Sequence, residues 1–355
     1  MRRELGIFCA VVVMCGFLFW SNHDFGNAGN ILNLSRQAAM LGIFAIGSSF
    51  VIITGGIDLS VGGIIGLTGV LIAKISSPSI HCLHYPLWMG IGIAMAVALL
   101  IGLCQGLLIS KLKLPPFIVT LAGMLLWRGL AQIITHGGTL GLGTSPLINL
   151  STEGLFRYGY HSVLAYPVLM FIGVIILAGY LLHATVFGRY VFAIGGNRDA
   201  ARYSGIPVDR VETLTYVISA GLAGVAGICY ASYIGQMTYL VGNGYELNAI
   251  AAAVIGGVSL RGGEGSVLGA IIGSIMLELI QNGIILFKWV YHVAGQRKVF
   301  TISSNWTYFI TGAVILLAVL IDQLASNFNE RKRLRRQAQV IAAKQEGGKT
   351  AAGAG

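Results

Sequence analysis

The chain has 355 residues, 55% of them hydrophobic and only 10% charged, with a formal net charge of +10. Soluble domains carry roughly a quarter charged residues, so a water-soluble fold of this size is excluded. The positive balance is no sign of nucleic-acid binding until its distribution along the chain is known.

A helix needs about 17 to 25 largely uncharged residues to cross roughly 30 Å of hydrocarbon. Stretches of that kind run over 5–20, 38–54, 61–75, 87–109, 114–135, 163–182, 211–231, 247–260, 265–287 and 305–323. The expected fold is all-α, a polytopic membrane protein with about ten transmembrane helices. The third and eighth stretches are short, and each either crosses or enters the bilayer without crossing. Two arginines precede the first run, but it closes on Phe17-Leu18-Phe19-Trp20, a poor cleavage signature, so it reads as an anchor that stays.

With the amino terminus inside, Arg2, Arg3, Lys111, Lys113, Arg189, Arg198, Arg202, Arg210, Arg261 and seven bases from Arg331 to Lys349 fall on one side, sixteen of the 23 Lys and Arg residues. Basic residues near segment ends resist translocation, so both termini are expected in the cytoplasm and the charge is explained by topology. The expected division is a membrane domain over 1–325 and a basic, disordered cytoplasmic tail over 326–355.

The 50 glycines are twice the usual share. Gly102/Gly106 and Gly265/Gly269/Gly273 have the four-residue spacing that lines one helix face for close packing. An internal echo sets Gly55, Gly56, Leu59 and Gly62 opposite Gly256, Gly257, Leu260 and Gly263, both copies lying at turns on the cytoplasmic side. The five cysteines form no disulfide or metal framework, and the small cluster of His81, Cys82 and His84 is a weak exception. Neither a metal nor a cofactor is expected.

No G-x-x-x-x-G-K-[ST] loop occurs, and Gly262–Gly269 misses the dinucleotide spacing. No nucleophile lies in an activating motif, so no catalytic residue is expected and ATP hydrolysis, where used, belongs to another polypeptide. Charges within apolar segments are costly and face a partner or a wet path. Asp58, Arg128 and Glu278 qualify, and Glu246 and Asn248 lie near a glycine-rich break. For each, a buried structural pair is the alternative to a place on a translocation path. One mid-helix carboxylate is too few for ion coupling.

The charged segment between the sixth and seventh stretches holds Gly196, Asn197, Asp199, Ala200, Ala201, Arg202 and Gly205, in N-R-D-A-A-R-Y-S-G-I. It predicts a short amphipathic helix with acid near its amino end and a glycine stop, which is either an ordinary interfacial helix or a docking element.

The run from Phe187 to Gly227, with GGIDLSVG at 55–62, LPPFIVTLAGMLLWRG at 114–129, the block over 244–273, QNGI at 281–284 and AVILLAVLID at 313–322, closely resembles the permease subunits of ribose-type sugar importers powered by an ATP-binding cassette, in the branched-chain amino acid/ribose permease superfamily. The resemblance implies a multi-pass protein of the bacterial inner membrane that carries a monosaccharide or related small polar solute. Its implied partners are a cytoplasmic ATPase, a periplasmic or lipid-anchored sugar-binding protein, a second permease copy or paralogue, and membrane lipid; nucleic acid is not among them. It makes the D-A-A-x-x-x-G of Asp199, Ala200, Ala201 and Gly205 the ATPase-coupling segment, with Asp in place of the more usual Glu. Residues 288–304 are longer and more basic than the family's usual link, and the tail is longer than common. The rival is an ion-coupled secondary transporter or a channel for a small polar solute, with an intramembrane enzyme further off.

Overall fold

The computed structural model describes residues 2–79, 82–158, 161–293 and 296–301, with 306, 309–313, 316, 317 and 320. The chain divides into two units, Met1–Thr311 and Gly312–Gly355, and every element named below lies in the first. The expected tail and His81 lie outside the described residues, as does most of the expected tenth stretch.

Among the described residues the helices run α1 (Arg2–Ser21), α2 (Ala28–Ile53), α3 (Val61–Ser76), α4 (Leu87–Ser110), α5 (Pro116–Thr135), α6 (Asn149–Thr152), α7 (Tyr166–His183), α8 (Val186–Gly196), α9 (Arg198–Tyr203), α10 (Val208–Ile234), α11 (Tyr245–Ile255) and α12 (Val267–Leu286). Among the described residues strands pair only two by two and antiparallel: β1 (Leu140–Gly141) with β4 (Gln236–Met237), β2 (Gly154–Tyr158) with β3 (His161–Ala165), and β5 (Lys288–Val293) with β6 (Gln296–Thr301). The segment over 288–304 thus carries a hairpin, and a second one occupies the long connection after α5. Six helices, α2, α4, α5, α7, α10 and α12, are long and apolar enough to cross a membrane, while α3, α8 and α11 are apolar but shorter.

The core is built on α2 and α10. Every residue of α2 from Ala38 to Ile53 is buried, which an apolar helix achieves only when other helices surround it on all sides. By contrast α4, α5 and α7 turn Leu100, Leu125, Leu126, Ile176 and Leu177 outward. The spacing of Gly102 and Gly106 lets α4 lie directly on the α10 backbone. A Cβ on Gly102 would stand 2.7 Å from the Tyr216 carbonyl oxygen, and one on Gly106 2.8 Å from that of Thr213. Gly269 and Gly273 meet α11 in the same way at Gly256 and Ala252, whereas Gly265 precedes α12 and packs on the Ile53 side chain.

Of the two short apolar stretches, the first becomes α3, 16 residues long after an irregular segment over 56–60, and the second becomes α11, entered through turns that end on Gly244 at φ +80°. At 11 residues, α11 is roughly 16 Å long and too short to cross alone. The amino ends of α3 and α11 meet where Gly62 and Gly242 lie backbone to backbone. The sequence echo has a structural counterpart, shifted by one residue. In α2 the Gly56 N–H donates to the Val51 carbonyl at 3.0 Å around Gly55 at φ +84°; in α11 the Val258 N–H donates to the Ala253 carbonyl at 2.9 Å around Gly257 at φ +90°. Gly55 therefore matches Gly257 rather than Gly256, because the left-handed residue after a helix is the position that demands glycine.

Candidate functional site

The predicted amphipathic helix forms as α9, and its two ends are encoded locally. The Asn197 side chain accepts the Ala200 N–H at 2.9 Å, and Asp199 lies in the first turn, where its charge opposes the helix dipole. The helix stops because Gly205 adopts φ +82°, so that the Gly205 N–H reaches the Arg202 carbonyl at 3.0 Å and the Ile206 N–H that of Ala201 at 3.1 Å. Ala201 packs inward, while Gly196, Asn197, Asp199, Ala200, Arg202 and Gly205 are exposed. Next to them Tyr203 stands 90% exposed.

Two ion pairs hold this helix in place and a third shares one of their carboxylate oxygens; sequence reading did not find them. Arg198 Nη2 lies 2.6 Å from Glu212 Oε2, Arg202 Nη2 lies 2.7 Å from Asp209 Oδ1, and Lys113 Nζ reaches the same Asp209 oxygen at 2.7 Å. Lys113 also donates to the Ser110 carbonyl. Asp209 thus joins α9, the start of α10 and the α4–α5 turn. The two pairs on Asp209 are exposed, and such pairs contribute only about 0.2–1 kcal/mol each, so they orient α9 more than they stabilise the fold; the Glu212 end of the Arg198 pair is buried.

A second attachment is pure backbone. A Cβ on Gly195, the penultimate residue of α8, would overlap the Ile53 carbonyl oxygen and the Gly263 amide nitrogen. The Gly263 N–H donates to that same Ile53 carbonyl at 2.8 Å. Three turns, following α2, α8 and α11, therefore close on one another beside α9. Only glycines allow backbones to approach this closely.

Further in, the extended chain before α3 is pinned by a buried carboxylate. Asp58 is 1% exposed. Its Oδ1 accepts the Ser60 N–H at 2.9 Å and the Ser60 hydroxyl at 2.6 Å, and its Oδ2 accepts the Ser219 hydroxyl at 2.7 Å. The Ser60 oxygen lies 2.9 Å from Gln105 Oε1. Asp58 thus ties α3, α4 and α10 together, with both carboxylate oxygens engaged inside the protein.

Arg128 and Glu246 are brought together, with Arg128 Nη2 3.9 Å from Glu246 Oε1. Glu246 sits in the first turn of α11, with its carboxylate also against Gly62 at the start of α3. One negative charge thereby serves two helix amino ends, which carry roughly half a positive charge each. Asn248 is half-buried on α11. Phe44, Tyr230 and Tyr245 pack beside this helix start, Phe44 stacking on Tyr245 at 5.9 Å and Tyr230 lying 4.8 Å from it. Glu278 is separate, buried on α12 and absent from the ion pairs among the described residues.

Membrane-length helices packed through glycine, two shorter helices meeting inside the bundle, and a charged helix offered at one end define a multi-pass transport permease. The chain matches the profile of the branched-chain amino acid transport system / permease component family over residues 30–319 and belongs to that family. It is 34% identical over 313 residues to the ribose import permease protein RbsC of Escherichia coli (strain K12), an alignment covering 88% of this chain and 91% of that one. It is 36% identical over 333 residues to RbsC of Bacillus subtilis (strain 168), covering 91% and 94%. It is 32% identical over 367 residues to the xylose transport system permease protein XylH of Escherichia coli (strain K12), covering 88% and 89%. No solved structure matches it significantly.

Proposed function

We propose that this chain is the membrane-spanning permease subunit of an importer powered by an ATP-binding cassette, carrying a monosaccharide or related small polar solute across the bacterial inner membrane. Family membership and the names of the relatives, ribose and xylose permeases, support the class and the cargo. The observation that carries the mechanism is α9, an exposed helix clamped by Arg198–Glu212 and Arg202–Asp209 to a core membrane helix.

In this reading α9 is cytoplasmic, and a separate ATPase subunit, where hydrolysis occurs, binds Gly196–Gly205. Both termini share that side, about ten segments, α3 and α11 included, cross or enter the bilayer, and a membrane domain over 1–325 precedes a cytoplasmic tail. The hairpin β5–β6 lies on the outer face, where a sugar-binding protein delivers cargo. A push on α9 passes along α10 to Ser219 and Asp58, and through the glycine junction to the turns after α2 and α11. Both routes end on α3 and α11, whose meeting point near Arg128, Glu246 and Asn248 is the proposed path, with Glu278 behind it. For motion to follow, the ATPase must bind the two states unequally.

The test is uptake by proteoliposomes. Labelled ribose or xylose accumulates only when the ATPase, ATP and a binding protein are present. Uptake driven by a proton or sodium gradient in the permease alone contradicts the proposal and supports the secondary-transporter rival.

A further inference from the structure

Resting on that reading, we infer that Gln105 is a positioning residue: its amide nitrogen donates to Ser60 and its amide oxygen accepts from Trp127, which completes a chain of hydrogen bonds from α10 to the residue beside Arg128. A hydroxyl carries one proton. The Ser60 oxygen lies 2.6 Å from Asp58 Oδ1 and 2.9 Å from Gln105 Oε1, and one proton does not serve two acceptors. Asp58 has the stronger claim, because a charged acceptor holds a hydroxyl more tightly than a neutral amide does. Ser60 then meets the Gln105 oxygen lone pair to lone pair.

The other end of the same amide is equally mismatched. Gln105 Nε2 and Trp127 Nε1 are both buried donors with no hydrogen-bond partner. They border one spot: a Cβ on Gly123 would overlap the Gln105 nitrogen and stand 3.2 Å from the Trp127 nitrogen. Two buried donors facing each other are costly. Turning the amide over about its last torsion exchanges nitrogen and oxygen with almost no change of shape. Ser60 then donates to Asp58 and accepts from Gln105, while Trp127 donates to Gln105. One rotation removes three faults. A proton on Asp58 would free the Ser60 hydroxyl for Gln105, yet it leaves the two nitrogens facing each other.

The completed chain runs in one direction. Trp127 on α5 donates to Gln105 on α4, Gln105 to Ser60 ahead of α3, and Ser60 to Asp58, whose other oxygen receives the Ser219 hydroxyl of α10 at 2.7 Å. The same indole is seated on α3, since a Cβ on Gly63 would stand 3.0 Å from the Met124 carbonyl oxygen and 3.4 Å from the Trp127 Cβ. Hydrogen bonds weaken steeply once bent below about 120°, so a shift of Ser219 or Ser60 pulls on the indole. The next residue is Arg128, whose Nη2 faces Glu246 Oε1 at 3.9 Å. Gln105 thereby carries the α9 and α10 movement from the Asp58 node to the proposed path, and Gly123 leaves room for its amide.

The test uses the permease assembled with its ATPase and binding protein, counting labelled ribose or xylose taken up against ATP consumed. Gln105→Met keeps the length and removes the amide; Trp127→Phe removes the indole N–H. Each should lower the solute carried per ATP about 2- to 30-fold, the span of residues on a coupling route, with the amount of inserted permease unchanged. The double variant should be no worse than Gln105→Met alone, because a bond lost once is not lost again. Effects that multiply overturn the inference, as does full coupling in both single variants. A second readout is the nitrogen-15 indole signal of Trp127, picked out from the five tryptophans by its loss in Trp127→Phe. It should lie downfield, exchange slowly with solvent, and move upfield in Gln105→Met. A signal that ignores Gln105→Met, or that moves on adding ribose or xylose with Gln105 intact, also overturns the inference, since the acceptor is then water or solute. Absence of ATP-driven uptake in the unaltered assembly sinks the importer reading instead, and the indole signal still judges the bond.

Discussion

Gly195 and Gly196 are adjacent glycines at the end of α8, yet the fold treats them oppositely. A Cβ on Gly195 runs into the Ile53 carbonyl oxygen and the Gly263 amide, while one on Gly196 meets nothing within 4 Å. Gly195→Ala must therefore push α8 away from the turn after α2 or break the 2.8 Å bond from the Gly263 N–H to the Ile53 carbonyl. Overpacking costs about 1–3 kcal/mol and a lost hydrogen bond about 0.5–1.5 kcal/mol, so the loss runs from about 1 kcal/mol for displacement alone to about 4.5 kcal/mol where the bond is broken as well. Gly196→Ala should stay within about 0.5 kcal/mol. Thermal unfolding of the detergent-solubilised subunit reads the first effect. Solute-stimulated ATPase activity of the reconstituted complex reads the second, since a displaced α9 no longer passes force. Gly195→Ala should lower both and Gly196→Ala neither. Equal behaviour of the two variants refutes the backbone junction.

Other perturbations separate the remaining links. Asp58→Asn removes one acceptor from a carboxylate that serves Ser60 and Ser219; a loss of about 1–3 kcal/mol in stability is expected, measured by thermal unfolding, and no loss would mean the node is not formed. Gly205→Val, at φ +82° with open space around it, should cost about 1–2 kcal/mol through backbone conformation alone. Gly205→Asn should recover most of that, and co-purification with the ATPase reports both. Glu212→Gln loosens the Arg198 pair and should raise protease nicking near α9 while insertion into membranes is unchanged. Gly62→Ala drives a methyl into the Gly242 carbonyl and the Glu246 carboxylate; uptake should fall sharply, and normal uptake would argue against a close approach of α3 and α11.

The parts of this protein that sequence made legible are the local ones. The Asn197 cap and the Gly205 stop are written within nine residues, so α9 was readable before any packing was known. The short runs over 61–75 and 247–260 stood out by length alone, and both become helices shorter than a membrane span. What stayed hidden depends on residues far apart in the chain. Nothing near Gly195 tells that Ile53 and Gly263 will lie against it, and nothing near Asp209 tells that Lys113 and Arg202 will share its oxygen. Asp58 looked like a path residue because a lone carboxylate among glycines is conspicuous, whereas its oxygens are taken up by Ser60 and Ser219. The hairpins β2–β3 and β5–β6 escaped an all-α expectation because such short strands carry little period-two signal. The one-residue shift in the echo arises because identity counts paired glycines while the fold pairs the left-handed ones.

The side of the membrane that α9 occupies, and what it touches there, decides most. A single cysteine at exposed Ala200, in cells expressing the permease with its ATPase, should resist impermeant maleimide added outside intact cells, react in inside-out vesicles, and cross-link to the ATPase. Labelling from outside intact cells, with no cross-link to the ATPase, would contradict the mechanism from α9 upward.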